Sequence, residues 1–277
     1  MTTITASVVN QLRKMTGAGM MDCKKALQES NGDMDEAVDI LRKKGAAKAA
    51  KRADRDAAEG LSIAKSATDN SYGIVVEVNC ETDFVAKNDD FNAFANEIAD
   101  FALENKYADR DALLAAPFGG KTLAEILVDK TAVIGEKVEV SNYALMQSEG
   151  VAAYNHGANR IGVLVALTQN SDSSINAGKD VAMQIAAMNP IAVNEDAVSQ
   201  EVKDKELEIG REIARQEGKP EQIIEKIAEG KLKRFFKDNT LVNQSFVKDS
   251  SMTVGDFLKS IDADLEVISF TRFQLGA

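Results

Sequence analysis

The first 45 residues carry apolar side chains at helical spacing in three short segments. In each segment they fall on one face of a helix: Val8, Leu12 and Met15, then Met20, Cys23 and Leu27, then Ala37, Ile40 and Leu41. Glycine-containing turns at 16–19 and 31–32 separate the segments, and Asp33 with Glu36 is typical of a helix start. The third helix is expected to end at Gly45. The pattern predicts a compact module of three helices.

The rest of the chain contains an internal repeat. Residues 59–64 and 72–78 match 149–154 and 161–167, and each pair consists of two β runs joined by a polar turn, which indicates a hairpin. Their glycines lie 90 and 89 residues apart. Helical patterns at 94–99 and 122–127 match those at 181–186 and 253–258, and a last β run at 138–140 matches 265–267.

The repeat offset grows from 89 to 127 residues, so about 38 residues are inserted in the second copy. Residues 199–236 account for them, and their apolar positions follow coiled-coil spacing on both sides of Gly218 and Pro220. We therefore expect an antiparallel coiled-coil hairpin at about 197–236 that acts as an interaction arm.

Each copy has the order strand, strand, helix, helix, strand, which predicts an α+β fold. Two repeated α+β subdomains would each hold a three-stranded antiparallel sheet with helices on one face. The predicted division is a helical docking module with a basic linker at 1–56, a first subdomain at 57–147 and a second at 148–277.

Rare residue types restrict the chemistry of the 277-residue chain. It contains two cysteines and one histidine, so cysteine and histidine ligands cannot close a structural zinc site. Histidine-dependent catalysis would have to use His156 alone. No signal peptide or membrane span is visible, and we expect a cytoplasmic protein.

Charge is unevenly distributed along the chain. The net charge is −11, but residues 1–56 carry 11 basic and 8 acidic side chains, against 22 and 36 in the remainder. Most of the basic residues lie between 42 and 55. They could bind nucleic acid or an acidic partner, or they could form a solvated helix end, where cations complement the helix dipole. No aromatic residue lies among them for base stacking.

Three short motifs are candidate sites. Met20 and Met21 follow a glycine turn, so one of them is available as an adaptable partner contact unless both pack in the core. Residues 119–122, Gly-Gly-Lys-Thr, do not follow a strand, and we expect Thr122 to start a helix at Leu123 instead of a phosphate loop. His156 lies in a hairpin turn without a flanking acid or serine, which favours a binding contact or a plain surface position over general-base catalysis.

The polar segment 79–90 follows a predicted strand and carries one aromatic residue, Phe84, beside Asp83. Two interpretations stay open. Phe84 and Val85 could attach the loop to the core, with Thr82 as a helix cap. Alternatively, Phe84 could be an aromatic wedge directed at a partner.

Three stretches carry a resemblance to a known family: 12–27, with Thr-Gly-Ala-Gly-Met-Met-Asp-Cys-Lys-Lys; 77–87, with Asn-Cys-Glu-Thr-Asp-Phe-Val-Ala-Lys; and 156–165. The chain resembles the bacterial elongation factor Ts family over nearly its whole length. This family releases GDP from elongation factor Tu as a guanine nucleotide exchange factor, and it stabilises nucleotide-free Tu until GTP binds. The resemblance implies a role in the elongation step of translation, without catalysis, cofactor or metal.

The resemblance also implies functional residues. The first module would be similar to ubiquitin-associated domains and would bind Tu through Arg13, Met20, Met21 and Lys24. Thr82, Asp83, Phe84 and Val85 would disturb the magnesium site of the partner, and His156 would be a second contact. Longer members carry a further C-terminal helical module, and we expect its contacts to be missing here because the sequence ends after the last predicted strand.

The residues suggest two alternative functions. An RNA-binding or ribosome-associated protein would use the basic residues at 42–55, but a net charge of −11 opposes it. A small-molecule enzyme is disfavoured because no paired acid and base residues were found. The expected partner is therefore elongation factor Tu, with no direct contact to nucleic acid, membrane or a small-molecule substrate.

Overall fold

A computed structural model describes residues 4–277, and its helices alternate with short strands. The helices are α1 (Ala6–Thr16), α2 (Met20–Glu29), α3 (Met34–Ala50), α4 (Asp83–Ala86), α5 (Asp89–Asn105), α6 (Arg110–Ala115), α7 (Leu123–Ile134), α8 (Asp172–Met188), α9 (Gln200–Gln216), α10 (Glu221–Asn239) and α11 (Val254–Ile261). The strands are β1 (Glu59–Ser66), β2 (Tyr72–Cys80), β3 (Pro117–Phe118), β4 (Lys121–Thr122), β5 (Glu139–Gln147), β6 (Gly150–His156), β7 (Ile161–Leu167), β8 (Ser245–Phe246), β9 (Asp249–Thr253) and β10 (Val267–Gln274). The predicted α+β class is confirmed.

The chain divides into two compact units. One contains the residues up to Ile63 together with Val76–Ala144 and Gln274–Ala277, and the other contains Ala64–Val75 and Leu145–Phe273. The predicted boundaries after residues 56 and 147 stay a prediction. Among the helices within residues 4–277, none is long and apolar enough to cross a membrane.

The first three helices share a small hydrophobic core. Its buried members are Val9, Leu12, Cys23, Ala26, Leu27, Ala37 and Leu41. Thr5 and Asp33 cap α1 and α3 through their side chains, and Gly17 ends α1 in the left-handed region at φ 68°. The expected core position of Met15 is wrong, because Val9 is fully buried instead of Val8 and Met15 is turned to the surface. Because Val8 and Val9 are both apolar, the sequence alone did not decide which of them faces the core.

Gly45 does not end α3, which continues to Ala50. This sequence expectation is wrong because Gly45 is needed for close packing and not for a left-handed helix end. A Cβ atom at Gly45 would lie 2.8 Å from the Cβ of Ala132 on α7. Glycine therefore lets α3 and α7 approach closely.

Each half of the chain contains a three-stranded sheet. The strand orders are β1-β2-β5 and β10-β7-β6. In the second sheet, β6 pairs antiparallel with β7 from Gly150 opposite Leu167 to His156 opposite Ile161. Side chains of α8 and α11, including Ile185 and Leu258, share one buried cluster with this sheet. The helices therefore cover its apolar face.

Two short hairpins, β3-β4 and β8-β9, precede α7 and α11 and were not predicted. Thr122 with Glu125 and Thr253 with Asp256 form complete capping boxes at the starts of these helices. The expected start of α7 at Leu123 is confirmed. Gly119 and Gly120 form the turn of the first hairpin, both with positive φ.

The segment that the repeat predicts to be inserted forms the helices α9 and α10, which pack on each other. A Cβ atom at Gly210 would lie 3.0 Å from the Cα of Ala228, so the helices approach closely there. The second helix extends to Asn239, slightly beyond the predicted limit. At the base, Phe236 is buried with Ala192 and Val198. The base therefore has its own apolar contacts.

Gly45→Val is expected to lower the free energy of unfolding by about 2 kcal/mol, because the new side chain must separate α3 from α7. Ala47→Val is the matched control, because Ala47 is exposed on the same helix. The Ala47→Val change should lower the free energy of unfolding by only about 0.5 kcal/mol, through the lower helix propensity of valine. Urea denaturation followed by circular dichroism measures both values, and equal losses would contradict the close packing at Gly45.

Replacing residues 207–231 by a short Gly-Ser linker should remove the distal arm and leave unfolding of the remainder cooperative. Val202, Leu232 and Phe236 at the base are retained. Deleting 199–236 removes Phe236 as well and should lower the free energy of unfolding by about 3 kcal/mol more. Calorimetry distinguishes the two variants. A loss of cooperative unfolding after the smaller replacement would show that the arm supports the rest of the fold.

Candidate functional site

Both methionines after the Gly17–Gly19 turn are exposed, with 46% of Met20 and 62% of Met21 accessible. The interpretation that both pack in the core is wrong. They are the first two residues of α2, whose buried face is formed by Cys23, Ala26 and Leu27. Methionine side chains are flexible and polarizable, so this exposed pair can adapt to the surface of another protein.

Arg13 and Lys24 are also exposed. Arg13 lies in the last turn of α1, and Lys24 lies one turn after Met20 on α2. All four predicted contact residues of the module therefore belong to the segments that flank the Gly17–Gly19 connection. The end of α1 and the start of α2 thus expose two positive charges and two methionine side chains near the same turn.

Phe84 is 83% exposed, and within residues 4–277 no other large hydrophobic side chain is as accessible. It lies on α4, a single helical turn that directly follows the end of β2. Thr82 caps this turn, since its Oγ1 accepts a hydrogen bond from the Val85 N–H at 3.4 Å. The predicted cap is present, but the interpretation that Phe84 attaches the loop to the core is wrong.

Asp83 beside Phe84 is charged at neutral pH. Lys87 Nζ lies 2.6 Å from Asp83 Oδ2, and this hydrogen bond holds the pKa of the Asp83 carboxyl below its ordinary value. Asp83 and Lys87 are one helical turn apart, so the pair also stabilises the α4 region. Phe84 is thus an exposed aromatic ring beside an ionised carboxylate.

Cys80 forms the base of the same segment. Its Sγ donates a hydrogen bond to the carbonyl of Thr82 at 3.2 Å. Burial, reinforced by the charge of Glu136, raises the pKa of the Cys80 thiol to about 12. The thiol therefore stays protonated and acts as a donor, not as a nucleophile.

A surface groove of about 550 Å³ lies next to Phe84. Its lining includes Phe84, Val85, Phe91, Phe94 and Val133. The ammonium of Lys130 lies 4.4 Å from the centre of the Phe94 ring. Phe84 therefore has apolar surface nearby but does not bury its ring in it.

His156 is the last residue of β6 and is exposed. Its Nδ1 shares a hydrogen bond of 3.0 Å with the Tyr154 hydroxyl. Sequence spacing did not identify this partner, although residues two apart on a strand share a face. The contact orients the imidazole but supplies no acid or nucleophile for catalysis.

The basic residues at 42–55 are partly neutralised within the protein. Lys44 pairs with Glu29 at 2.6 Å, Lys48 with Asp22 at 2.9 Å and Arg52 with Glu81 at 2.7 Å. Lys48 also holds the pKa of Asp22 below its ordinary value. These ion pairs reduce the positive charge that could face nucleic acid.

Residues 4–277 contain no group of three or more histidine, cysteine or acidic side chains that could hold a metal ion. The role expected for Thr82, Asp83, Phe84 and Val85 stays a prediction. The sequence did not indicate Glu81 and Glu136, whose side chains make contacts at this segment. Glu136 bonds to Thr82, 54 positions away, and no local pattern indicates such a contact.

Comparison with known proteins gives one consistent result. The family model described as Elongation factor TS matches residues 81–277. The chain is 51% identical over 276 residues to the elongation factor Ts of Christiangramia forsetii and to that of Flavobacterium psychrophilum, with 100% of each chain covered. It is 49% identical over 275 residues to the elongation factor Ts of Alkalilimnicola ehrlichii, covering 99% of this chain and 92% of the relative. The chain belongs to the elongation factor Ts family.

Proposed function

We propose that the chain binds elongation factor Tu in its GDP form, promotes release of GDP, and holds nucleotide-free Tu until GTP binds. Family membership implies nucleotide exchange on Tu during translation elongation. The observation that carries the finer proposal is Phe84, an exposed ring on a capped turn beside an ionised carboxylate. No covalent step and no cofactor is required, and the cytoplasm is the proposed location.

Exchange requires a difference in affinity. A protein that binds both forms of Tu equally well cannot shift the equilibrium between them. The chain must therefore bind nucleotide-free Tu more tightly than GDP-bound Tu, and by reciprocity GDP then binds more weakly to the complex. Contacts that form only after the nucleotide site has been disturbed supply this difference.

We assign the disturbance to Thr82, Asp83, Phe84 and Val85. Insertion of the Phe84 ring would displace groups that support the magnesium ion of the partner. Loss of this ion leaves the phosphate charges of GDP without neutralisation. The Asp83 carboxylate lies at the same tip but is paired with Lys87, so it would repel phosphate only where contact with Tu opens this ion pair.

We assign docking to Arg13, Met20, Met21 and Lys24, and a second contact to His156. Their exposure, and the fixed orientation of His156 by Tyr154, support this assignment. In the proposed organisation, residues 1–56 dock, 57–147 and 148–277 form the scaffold, and α9 with α10 forms a coiled-coil arm.

Phe84→Ala is expected to slow GDP release from Tu about 30-fold, corresponding to about 2 kcal/mol of preferential binding. Stability should change by less than about 0.5 kcal/mol, because the ring is exposed. Stopped-flow release of a fluorescent GDP measures the rate. Met188→Ala removes another exposed side chain and is the control. An unchanged rate with intact binding would contradict the wedge.

Lys24→Ala is expected to raise the Tu concentration at half-maximal exchange about 5-fold and leave the maximal rate unchanged, because docking contacts act on both forms of Tu. Lys25→Ala removes the same charge from the next exposed position of α2 and should have no comparable effect. Exchange rates titrated against Tu at low and high salt test both variants. Equal effects of the two substitutions would show that only net charge matters.

A further inference from the structure

The turn that carries Phe84 is held in place from outside by a carboxylate. Glu136, in the connection between α7 and β5, accepts a hydrogen bond from the Thr82 N–H at 3.0 Å on one oxygen. Its other oxygen accepts one from the Thr82 hydroxyl at 2.7 Å. Because the hydroxyl proton points to Glu136, the lone pairs of Thr82 Oγ1 stay available to the Val85 N–H. Glu136 thereby fixes the cap of α4.

The next residues on each segment, Glu81 and Lys137, make a matching contact in the opposite direction. Glu81 Oε1 accepts a hydrogen bond from the Lys137 N–H at 2.6 Å. Arg52 Nη1 lies 2.7 Å from the same Glu81 oxygen and 2.9 Å from the other. The backbone N–H of Thr82 thus donates to the Glu136 carboxylate, and the backbone N–H of Lys137 donates to the Glu81 carboxylate. We call this pair of hydrogen bonds the carboxylate clasp. Only 15% of the Glu81 side chain is exposed, so solvent screens its contacts weakly.

The other hydrogen bonds of this turn come from residues close by in the chain, Cys80, Lys87 and Asn92, whereas Glu136 reaches it from 54 positions away. A helix of one turn is unstable alone, since nucleation costs more than its few hydrogen bonds return. Phe84 itself contributes little burial, and beside it lies a groove whose lining combines apolar Phe91, Phe94 and Val133 with charged Asp90, Glu97 and Lys130. An unrestrained ring would gain hydrophobic free energy by folding into this groove.

We infer that Glu136 is a positioning residue, which holds the Thr82–Val85 turn through the clasp so that Phe84 stays exposed and does not enter the groove. The relevance of this role to exchange rests on the proposed function, but the structural step can be measured without the partner. Glu136 acts on exchange only through the position of Phe84.

The test uses Phe84→Trp as a reporter, because the chain contains no other tryptophan. In this background, Glu136→Ala should shift the emission to shorter wavelength and reduce quenching by acrylamide, as the ring enters the groove. Glu136→Gln keeps one acceptor oxygen and should give emission and quenching between those of the Phe84→Trp reporter and the Glu136→Ala variant. It replaces the alanine variant if that protein fails to fold. Glu104→Ala removes an exposed carboxylate elsewhere and should leave the emission unchanged.

Exchange is measured with Phe84 present. Glu136→Ala should lower the maximal rate about 10-fold with little change in the Tu concentration at half-maximal rate, because docking is intact. Unchanged tryptophan emission in both Glu136 variants would overturn the positioning role, whatever the exchange rate. Altered emission with normal exchange would keep the clasp and contradict the proposed role of Phe84 in exchange. The two failures are therefore distinguishable.

Discussion

The exposure of Phe84 is the constraint on which the organisation of this part of the molecule depends. An aromatic residue is normally positioned by its own burial, but this ring is 83% exposed and contributes almost nothing to its own placement. Its neighbours must hold it, and they do so with directional contacts: the Thr82 cap, the Cys80 thiol and the Glu136 carboxylate. Polar groups suit this task because hydrogen bonds fix orientation, whereas apolar contacts would draw the ring inward.

The sequence predicted what depends on local patterns. Helix caps such as Asp33 and Thr122, and the β6-β7 hairpin, follow from residues close together in the chain. The role of Gly45 could not be predicted, because it depends on Ala132, 87 residues later. For the same reason the sequence identified Phe84 as unusual, but left open whether the ring is buried and which residues support it.

The helices α9 and α10, which the repeat predicts to be an insertion, leave and rejoin the rest of the chain at one place. Residues 192 and 240 form a parallel bridge at the base of α9 and α10, so the chain leaves and returns at one place. Close approach at Gly210 and paired charges between Arg211 and Glu225, 2.8 Å apart, hold the two helices together within the arm itself. The two helices therefore have contacts of their own that hold them together.

The size of one aromatic ring limits what the proposed wedge can do. Full burial of a phenylalanine contributes about 1.5–3 kcal/mol, which corresponds to roughly 10- to 150-fold in affinity. The proposed docking through Arg13 and Lys24 could be much stronger without adding to exchange, because contacts made equally with both forms of Tu cancel from the equilibrium between them. In the proposed mechanism, the state-dependent part of the binding energy is assigned to insertion of Phe84. A turn that is already ordered before binding also favours affinity. Little of the free energy from burying the Phe84 ring is then lost as conformational entropy of the loop.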